Sequence, residues 1–209
     1  MRVRKPAEAR KAEIIDATLR LADKLGPDRL TTEAVANAVG LSQPGIFRHF
    51  PKKMDLWEAV AARVGSMMES RWKKAQDGDS PATDRIRALI GAQLRLIQST
   101  PAIPAILFSR ELHTKNKGLR TAFFGLMSRF HGLIAGLVTQ ACAEGELRED
   151  LDPDDAAFLL IGLVQGLAVR WSISGRNFDL MEEGYRLLEL QLAGLAPAKA
   201  DATIERGAS

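Results

Sequence analysis

Residues 30–53 of the chain read Leu-Thr-Thr-Glu-Ala-Val-Ala-Asn-Ala-Val-Gly-Leu-Ser-Gln-Pro-Gly-Ile-Phe-Arg-His-Phe-Pro-Lys-Lys. This stretch predicts two short helices joined at Gly40. Thr31 can cap the first helix, and glycine at position 40 can take the left-handed conformation that ends it. Ser42 can cap the second helix, and Pro44 falls in its first turn, where a missing backbone N–H costs little. Two short helices joined by such a tight turn form a helix-turn-helix.

The second of these helices has distinct inner and outer faces. Ile46 and Phe50 are expected to point into the core. The other side chains are expected to point outward: Gln43, Gly45, Phe47, Arg48 and His49. A short helix with an exposed N-terminal end, one amide side chain and a small residue suits the major groove of DNA. Gln can pair there with adenine, so the stretch predicts sequence-specific DNA contacts.

Residues 10–60 resemble the N-terminal domain of the TetR family of bacterial transcriptional regulators. The resemblance rests on the order Thr-Thr, Val-Ala, Val-Gly-Leu-Ser-Gln-Pro, Ile-Phe-Arg-His-Phe and Lys-Lys, directly before an amphipathic helix. It implies an all-helical dimer with a three-helix DNA-binding head and a helical ligand-binding body. Members of this family are usually repressors that a small molecule releases from the operator.

The resemblance also implies roles for individual residues. It places Thr32, Phe47, His49 and Lys53 at positions that contact the DNA backbone, and Gln43, Pro44 and Gly45 at positions that contact bases. With the cap Ser42 and the outward Arg48, the expected DNA-binding residues are Thr32, Ser42, Gln43, Pro44, Gly45, Phe47, Arg48, His49 and Lys53. The family most often has Tyr at position 47, so Phe47 cannot form the hydrogen bond from that hydroxyl to a phosphate.

Basic residues concentrate in the first part of the chain. The net charge is only +3, but residues 1–53 carry eleven Lys and Arg against six Asp and Glu. A lysine pair follows the two short helices, and further cations precede them: Arg2, Arg4, Lys5, Arg10 and Lys11. Both flanks can therefore neutralise phosphates. For residues 2–5, a solubilising tail explains the charges equally well.

Composition indicates a cytoplasmic protein. A chain of 209 residues with 46% hydrophobic residues can bury one large domain or two small ones. The single Cys142 excludes an internal disulfide and suits a reducing compartment. The first residues lack the apolar run of an export signal, and no segment reaches the roughly 18 uninterrupted apolar residues of a membrane span.

The hydrophobic pattern is helical nearly throughout, without repeats or strand-like alternation. It predicts an all-α fold of about nine helices. Besides the short pair, the helices cover roughly residues 7–25, 52–74, 83–99, a short segment ending near 112, 117–144, 154–174 and 179–195. The expected domains are a helix-turn-helix DNA-binding domain at 1–53, a helical effector-binding and dimerisation domain at 54–196, and a disordered tail at 197–209.

The eighth predicted helix indicates a second copy of the chain. Between residues 156 and 169 only Gln165 is polar, so apolar side chains surround the helix, although it is too short to cross a bilayer. We expect one face to pack in its own subunit and the other against a partner subunit. The expected interface comprises Phe158, Gly162 and Gly166 of this helix and Leu188 and Leu192 of the next one. The alternative is a buried core helix of a monomer.

A dimer of this kind would present two DNA-reading helices about 34 to 36 Å apart, one turn of DNA or somewhat more. The expected partner is therefore double-stranded DNA with a palindromic operator sequence, bound by a homodimer.

Apolar side chains in the middle of the chain can line an effector pocket. The candidates are Met68, Trp72, Phe108, Phe123, Met127, Phe130, His131 and Trp171. Such walls favour a hydrophobic or aromatic small molecule, and Arg110, Arg129 or Arg170 can pair with an anionic group. Core packing is the alternative for each candidate, since apolar residues at helical spacing need no ligand to explain them.

The sequence indicates no other chemistry. The three His lie in different predicted elements and Cys142 has no neighbouring Cys, so we expect no metal site and no cofactor. No catalytic triad or glycine-rich phosphate loop is present, so no catalytic residues are assigned and an enzyme is not expected. Two hypotheses remain: a repressor released by a small ligand, and a DNA-binding regulator or architectural protein whose body binds another protein.

Overall fold

The computed structural model describes residues 6–76 and 78–198, and every regular element in them is a helix. The helices are α1 (Ala7–Leu25), α2 (Thr32–Ala38), α3 (Gln43–Phe47), α4 (Lys53–Ala75), α5 (Ala82–Ser99), α6 (Ala102–Leu107), α7 (Arg110–Lys115), α8 (Lys117–Ala143), α9 (Pro153–Ile173) and α10 (Leu180–Leu195). The predicted all-α class is confirmed. The cations at positions 2, 4 and 5 and the tail beyond residue 198 lie outside the described residues.

The described residues form ten helices where the sequence predicts about nine. The predicted sixth helix is two helices, because the chain breaks at Phe108 and Ser109. The Ser109 hydroxyl accepts a hydrogen bond from the Leu112 N–H at 3.0 Å and so caps the start of α7. The bounds of α1 are those predicted from periodicity.

The three-helix head follows the predicted local chemistry. Thr31 caps α2 by accepting from the Ala34 N–H at 3.1 Å, and Ser42 caps α3 by accepting from the Gly45 N–H at 3.3 Å. Gly40 between them has a φ of 63°, which is the left-handed conformation expected at this turn. The helix-turn-helix is therefore confirmed at the residues that define it.

The body is built around α5. This helix packs against α4, α8, α9 and α10, and ten of its residues are buried. Two glycines allow α10 to lie close to it: a Cβ at Gly91 would collide with Tyr185, and a Cβ at Gly184 would collide with Leu94. The buried side chains of head and body form one continuous hydrophobic cluster, so α4 joins the two parts without a gap in the core.

Two helices, α8 and α9, are long and apolar enough to cross a membrane by length and composition alone. In this fold they pack against each other and against α5. A helix at the centre of a helical bundle meets the same criteria, because it must be apolar on the sides that its neighbours cover.

The structure corrects part of the expected dimer surface. Leu188 and Leu192 of α10 are buried within their own subunit, with exposures of 0% and 3%. The apolar stripe of α10 packs against α5 and α9 of the same subunit, so it is not available to a partner subunit. The large apolar side chain that α10 exposes is Leu190 instead. Periodicity locates an apolar stripe but does not tell which subunit covers it.

Candidate DNA interface and effector cavity

Helix α3 presents a compact exposed surface at the edge of the head. Gln43, Pro44, Phe47 and Arg48 are exposed, and His49 is half-buried. Ile46 is fully buried and Phe50 is buried, as their predicted inward positions require. Within the part of the chain that the structure describes, Arg48 and Lys52 form no ion pair, so their charges remain open to phosphates.

Gln43 is held by the neighbouring helix. Its side-chain N–H donates to the Thr32 hydroxyl at 2.8 Å, which links α3 to the first residue of α2. Thr32 is buried, whereas Gln43 is exposed. The Gln43 carbonyl oxygen and its second amide hydrogen stay free, and the Thr32 hydroxyl hydrogen can still donate to a phosphate. The hydrogen bond to Thr32 fixes the direction in which the Gln43 amide projects from the protein surface.

Gly45 does not face outward as expected. The residue is buried, and a Cβ there would lie 3.4 Å from both Leu41 and the Ser42 hydroxyl. Its N–H is already bonded to Ser42. Both distances are ordinary van der Waals contacts, so a side chain would fit here, but the buried Gly45 offers little surface to a base.

Lys53 lies at the start of α4 and turns its ammonium toward the head. The ammonium donates to the Leu30 carbonyl at 2.5 Å, while the residue as a whole remains exposed. The side chain also lines a small pocket between the head and α7, together with Asp28, Trp57 and Glu111.

A small cavity lies in the body, and five of the eight predicted pocket residues line it. They are Met68, Trp72, Phe108, Met127 and Phe130. The wall is apolar apart from Gln93 and Gln165, and Trp72 stacks on Phe130 with ring centroids 4.9 Å apart. The cavity volume is about 30 Å³. That volume holds about one water molecule, whereas pockets for drug-sized ligands occupy about 300–1,000 Å³.

Three predicted pocket residues lie elsewhere. Phe123 is buried beside His113, and their rings meet edge to face with centroids 5.8 Å apart. His131 lies at the surface of α8 against Phe158. The indole N–H of Trp171 donates to the Phe178 carbonyl at 3.1 Å near the end of α9. Core packing and surface contacts account for these three side chains.

Several residues of the cavity wall were not predicted from the sequence. Gln93 accepts a hydrogen bond from the Trp72 indole N–H at 3.0 Å, and both side chains are buried. A polar residue inside the apolar stripe of α5 is a signal that could have identified Gln93. Ile103, Pro104 and Leu107 of α6 also line the cavity, but nothing in their apolar pattern distinguishes them from core residues.

Helix α6 joins the cavity to the head. It packs against α1, while its other side forms the cavity wall. Directly after it, the Ser109 hydroxyl donates to the Asp28 carboxylate in the loop that follows α1. On another side of the head, Arg176 forms an ion pair with Asp23 of α1. A change in the shape of the cavity therefore has a short physical route to the head.

The outer face of α9 is apolar and uncovered in the single chain. Phe158 is 66% exposed, and the ring of His131 from α8 lies against it with centroids 4.5 Å apart. Gly162 and Gly166 are exposed, and no described atom lies within 4 Å of a Cβ built on either. Ile173 of α9 and Leu190 of α10 are also exposed. An exposed apolar face of this extent suits a partner subunit.

No group of three or more His, Cys, Asp or Glu in residues 6–76 and 78–198 is placed to hold a metal ion. Cys142 donates to the Arg148 carbonyl at 3.3 Å. Burial, and then the charge of Asp150, raise the pKa of the Cys142 thiol above its ordinary value. A raised pKa lowers the fraction of reactive thiolate.

Two regions of the chain match the sequence profiles of known families. Residues 14–60 match the sequence profile described as bacterial regulatory proteins, tetR family. Residues 82–180 match the profile described as tetracyclin repressor-like, C-terminal domain. The two matched regions correspond to the helix-turn-helix with its flanking helices and to most of the body.

Individual proteins of known name are similar over nearly the whole chain. The nucleoid occlusion factor SlmA of Vibrio cholerae is 28% identical over 194 residues, covering 88% of this chain and 95% of the relative. The ketosteroid transcriptional regulator KstR2 of Mycobacterium tuberculosis has a similar fold, with a TM-score of 0.76, 17% identity and coverage of 90% and 95% of the two chains. The transcriptional regulator FadR from Bacillus subtilis, solved in complex with stearoyl-CoA, has a TM-score of 0.74, 20% identity and coverage of 88% and 98%.

Proposed function

Because the chain belongs to the TetR family of bacterial regulatory proteins and is a DNA-binding regulator, we propose that it is a homodimeric repressor released from a palindromic operator by a small hydrophobic or aromatic effector. The observation that carries this proposal is the position of α6. Its residues wall the apolar cavity, and the same helix packs on α1 of the head. A ligand that alters the cavity can thus alter the spacing of the two heads in a dimer.

The proposed DNA surface consists of α3 and its neighbours. Gln43 and Pro44 read bases, while Thr32, Phe47, His49 and Lys53 contact the sugar-phosphate backbone, with Ser42 and Arg48 beside them. Gly45 is left out because it is buried. In this assignment residues 1–53 form the DNA-binding domain and residues 54–196 form the effector-binding and dimerisation domain. The protein acts in the cytoplasm, on the nucleoid.

The proposed dimer forms through the outer face of α9. Phe158, Gly162 and Gly166 lie on this face, and Ile173 and Leu190 extend it. The exposed glycines let a partner helix approach closely, and the aromatic and aliphatic side chains supply the apolar area.

The proposed effector site is the cavity between α4, α5, α6, α8 and α9. Its present volume is too small for an organic ligand, so binding requires the walls to move. Met68 and Met127 have flexible unbranched side chains that can rearrange. Since the ligand binds only the widened state, it shifts the population toward that state and can change the position of α6. The stearoyl-CoA in the complex of FadR from Bacillus subtilis supports a hydrophobic effector.

A second candidate function is a DNA-binding protein whose body binds another protein and no small ligand. Two observations favour it: the cavity is too small for an organic ligand, and relatives covering most of the chain carry the name nucleoid occlusion factor rather than that of a gene regulator.

Selection of bound sequences from random duplex DNA tests the first proposal. We expect a palindromic site that binds far more tightly than random DNA at two salt concentrations, because base contacts add to the phosphate contacts. The selected site then serves as the probe for small apolar molecules that release it and raise the melting temperature. Salt-sensitive binding without sequence preference would contradict the repressor and favour the second candidate.

A further inference from the structure

An open trough runs along the surface between α4 and α8. Arg129 of α8 and Glu69 of α4 form an ion pair of 2.8 Å across it. Both residues line two adjoining pockets, of about 560 Å³ and 330 Å³, so the ion pair lies where the two meet. Lys73, one turn after Glu69 on α4, lines the larger pocket. Within the described residues Lys73 forms no ion pair, so the trough carries a net positive charge.

The trough adjoins the cavity. Trp72 lines both the cavity and the larger trough pocket, and Leu126 lines both the cavity and the smaller one. These two side chains therefore separate the cavity from the trough.

The cavity and the trough differ sharply in polarity. The cavity wall is apolar except for Gln93, which is bonded to Trp72, and Gln165. An ionised group inside it would lose its hydration without gaining a cation, which is costly. The trough, in contrast, contains two cationic side chains, Arg129 and Lys73. The geometry thus favours a ligand with an apolar tail and one anionic end.

We propose that the cavity and the trough form one binding site for an amphiphilic carboxylate. The hydrocarbon tail passes between Trp72 and Leu126 into the cavity, and the carboxylate stays in the trough, where Arg129 and Lys73 bind it. This inference rests on the proposed effector site and adds the chemical class of the ligand. In the unliganded protein one oxygen of the Glu69 carboxylate lies 2.8 Å from one nitrogen of the Arg129 guanidinium, so a ligand carboxylate competes with Glu69 and can replace it.

This replacement gives the two members of the ion pair opposite effects. Arg129→Gln removes the cation and should weaken carboxylate binding about tenfold, the size of one charge-assisted hydrogen bond. Glu69→Gln removes the competitor and should tighten it several-fold. A merely structural ion pair would make both variants weaker and would affect charged and uncharged ligands alike.

Calorimetric titration of the full chain with decanoate and with decanol tests the inference. We expect decanoate to bind more tightly than decanol, and only decanoate to respond to the two variants. Arg148→Gln is the matched control, because Arg148 is an equally exposed arginine paired with Asp150 away from the trough. Thermal unfolding of each variant, compared with this control, checks that the fold is kept.

The outcomes separate this inference from the proposed function. Equal affinities for decanoate and decanol, unchanged in Arg129→Gln, overturn the carboxylate site and leave the effector cavity standing. Binding of neither probe overturns the inference and also weakens the effector proposal. Loss of operator specificity in the DNA selection overturns the repressor regardless of what the cavity binds.

Discussion

The hydroxyl of Ser109 donates a 2.5 Å hydrogen bond to the carboxylate of Asp28 and thereby ties the body to the head. Ser109 is buried, and the same hydroxyl accepts from the Leu112 N–H to cap α7. It lies directly after α6, which walls the cavity. One small side chain thus connects the helix start, the cavity wall and the loop behind α1.

Ser109→Ala should lower the free energy of unfolding by about 1–3 kcal/mol, since it removes a helix cap and a hydrogen bond to a charged group. Asp28→Ala should cost less, because it removes the bond between head and body and leaves the cap. Urea unfolding measures both. Ser128→Ala is the control, because Ser128 is an exposed serine bonded only within α8. Equal losses for the Ser109 and Ser128 variants would contradict the role of Ser109.

Gln43→Ala and Lys53→Ala should weaken DNA binding in different ways. Gln43→Ala should cost about 1–3 kcal/mol at particular base pairs and leave binding to random DNA unchanged. Lys53→Ala should weaken all sequences and reduce the salt dependence by about one released ion. Titration of operator and random duplexes at two salt concentrations distinguishes them. If both variants changed both duplexes alike, the assignment of Gln43 to base contacts would be wrong.

Leu188 and Leu190 of α10 should affect different equilibria. Leu188→Ala should lower the free energy of unfolding by about 2–5 kcal/mol, because Leu188 is fully buried in its own subunit. Leu190→Ala should leave protomer stability within about 0.5 kcal/mol, since its side chain is 67% exposed, and should weaken the dimer. Urea unfolding and sedimentation over a range of concentrations measure the two effects. A stability loss in the Leu190 variant at concentrations where it is monomeric would contradict the proposed face.

Gly166→Leu should raise the dimer dissociation constant more than about tenfold, because a partner helix can no longer approach. The protomer itself should keep its fold, as no described atom lies within 4 Å of the added Cβ. Gly136→Leu is the matched control: Gly136 is an exposed glycine with equally open surroundings on α8. An unchanged dimer in light scattering would remove Gly166 from the interface.

The sequence was most informative where local chemistry decides the structure. Caps at Thr31 and Ser42, and the left-handed turn at Gly40, follow from single residues and their neighbours, so these three positions could be predicted, although α3 ends at Phe47 and not near Phe50 as expected. Gly45 is the exception within the head. A glycine without a positive φ gives no sign in the sequence of whether it is open to a ligand or buried by its neighbours.

The body was harder to predict because its apolar stripes are alike. The patterns of α9 and α10 both indicate burial, but only tertiary packing shows that Leu188 and Leu192 face inward and Phe158 does not. Phe123 and Trp171 show the same difficulty: aromatic side chains of this kind can line a ligand pocket, but in the fold these two pack in the core. Ser109 and Asp28 are 81 positions apart in the sequence, and no local pattern predicts their hydrogen bond.

The bond between Gln43 and Thr32 has a thermodynamic consequence for recognition. A free glutamine on a helix samples several rotamers, and ordering it on DNA would cost conformational entropy. Here much of that ordering has already occurred during folding of the head. The amide is therefore preorganised before it contacts DNA. A correct base pair forms its hydrogen bonds with Gln43 at a smaller entropic cost, whereas a wrong base pair contacts a side chain that cannot easily change its conformation.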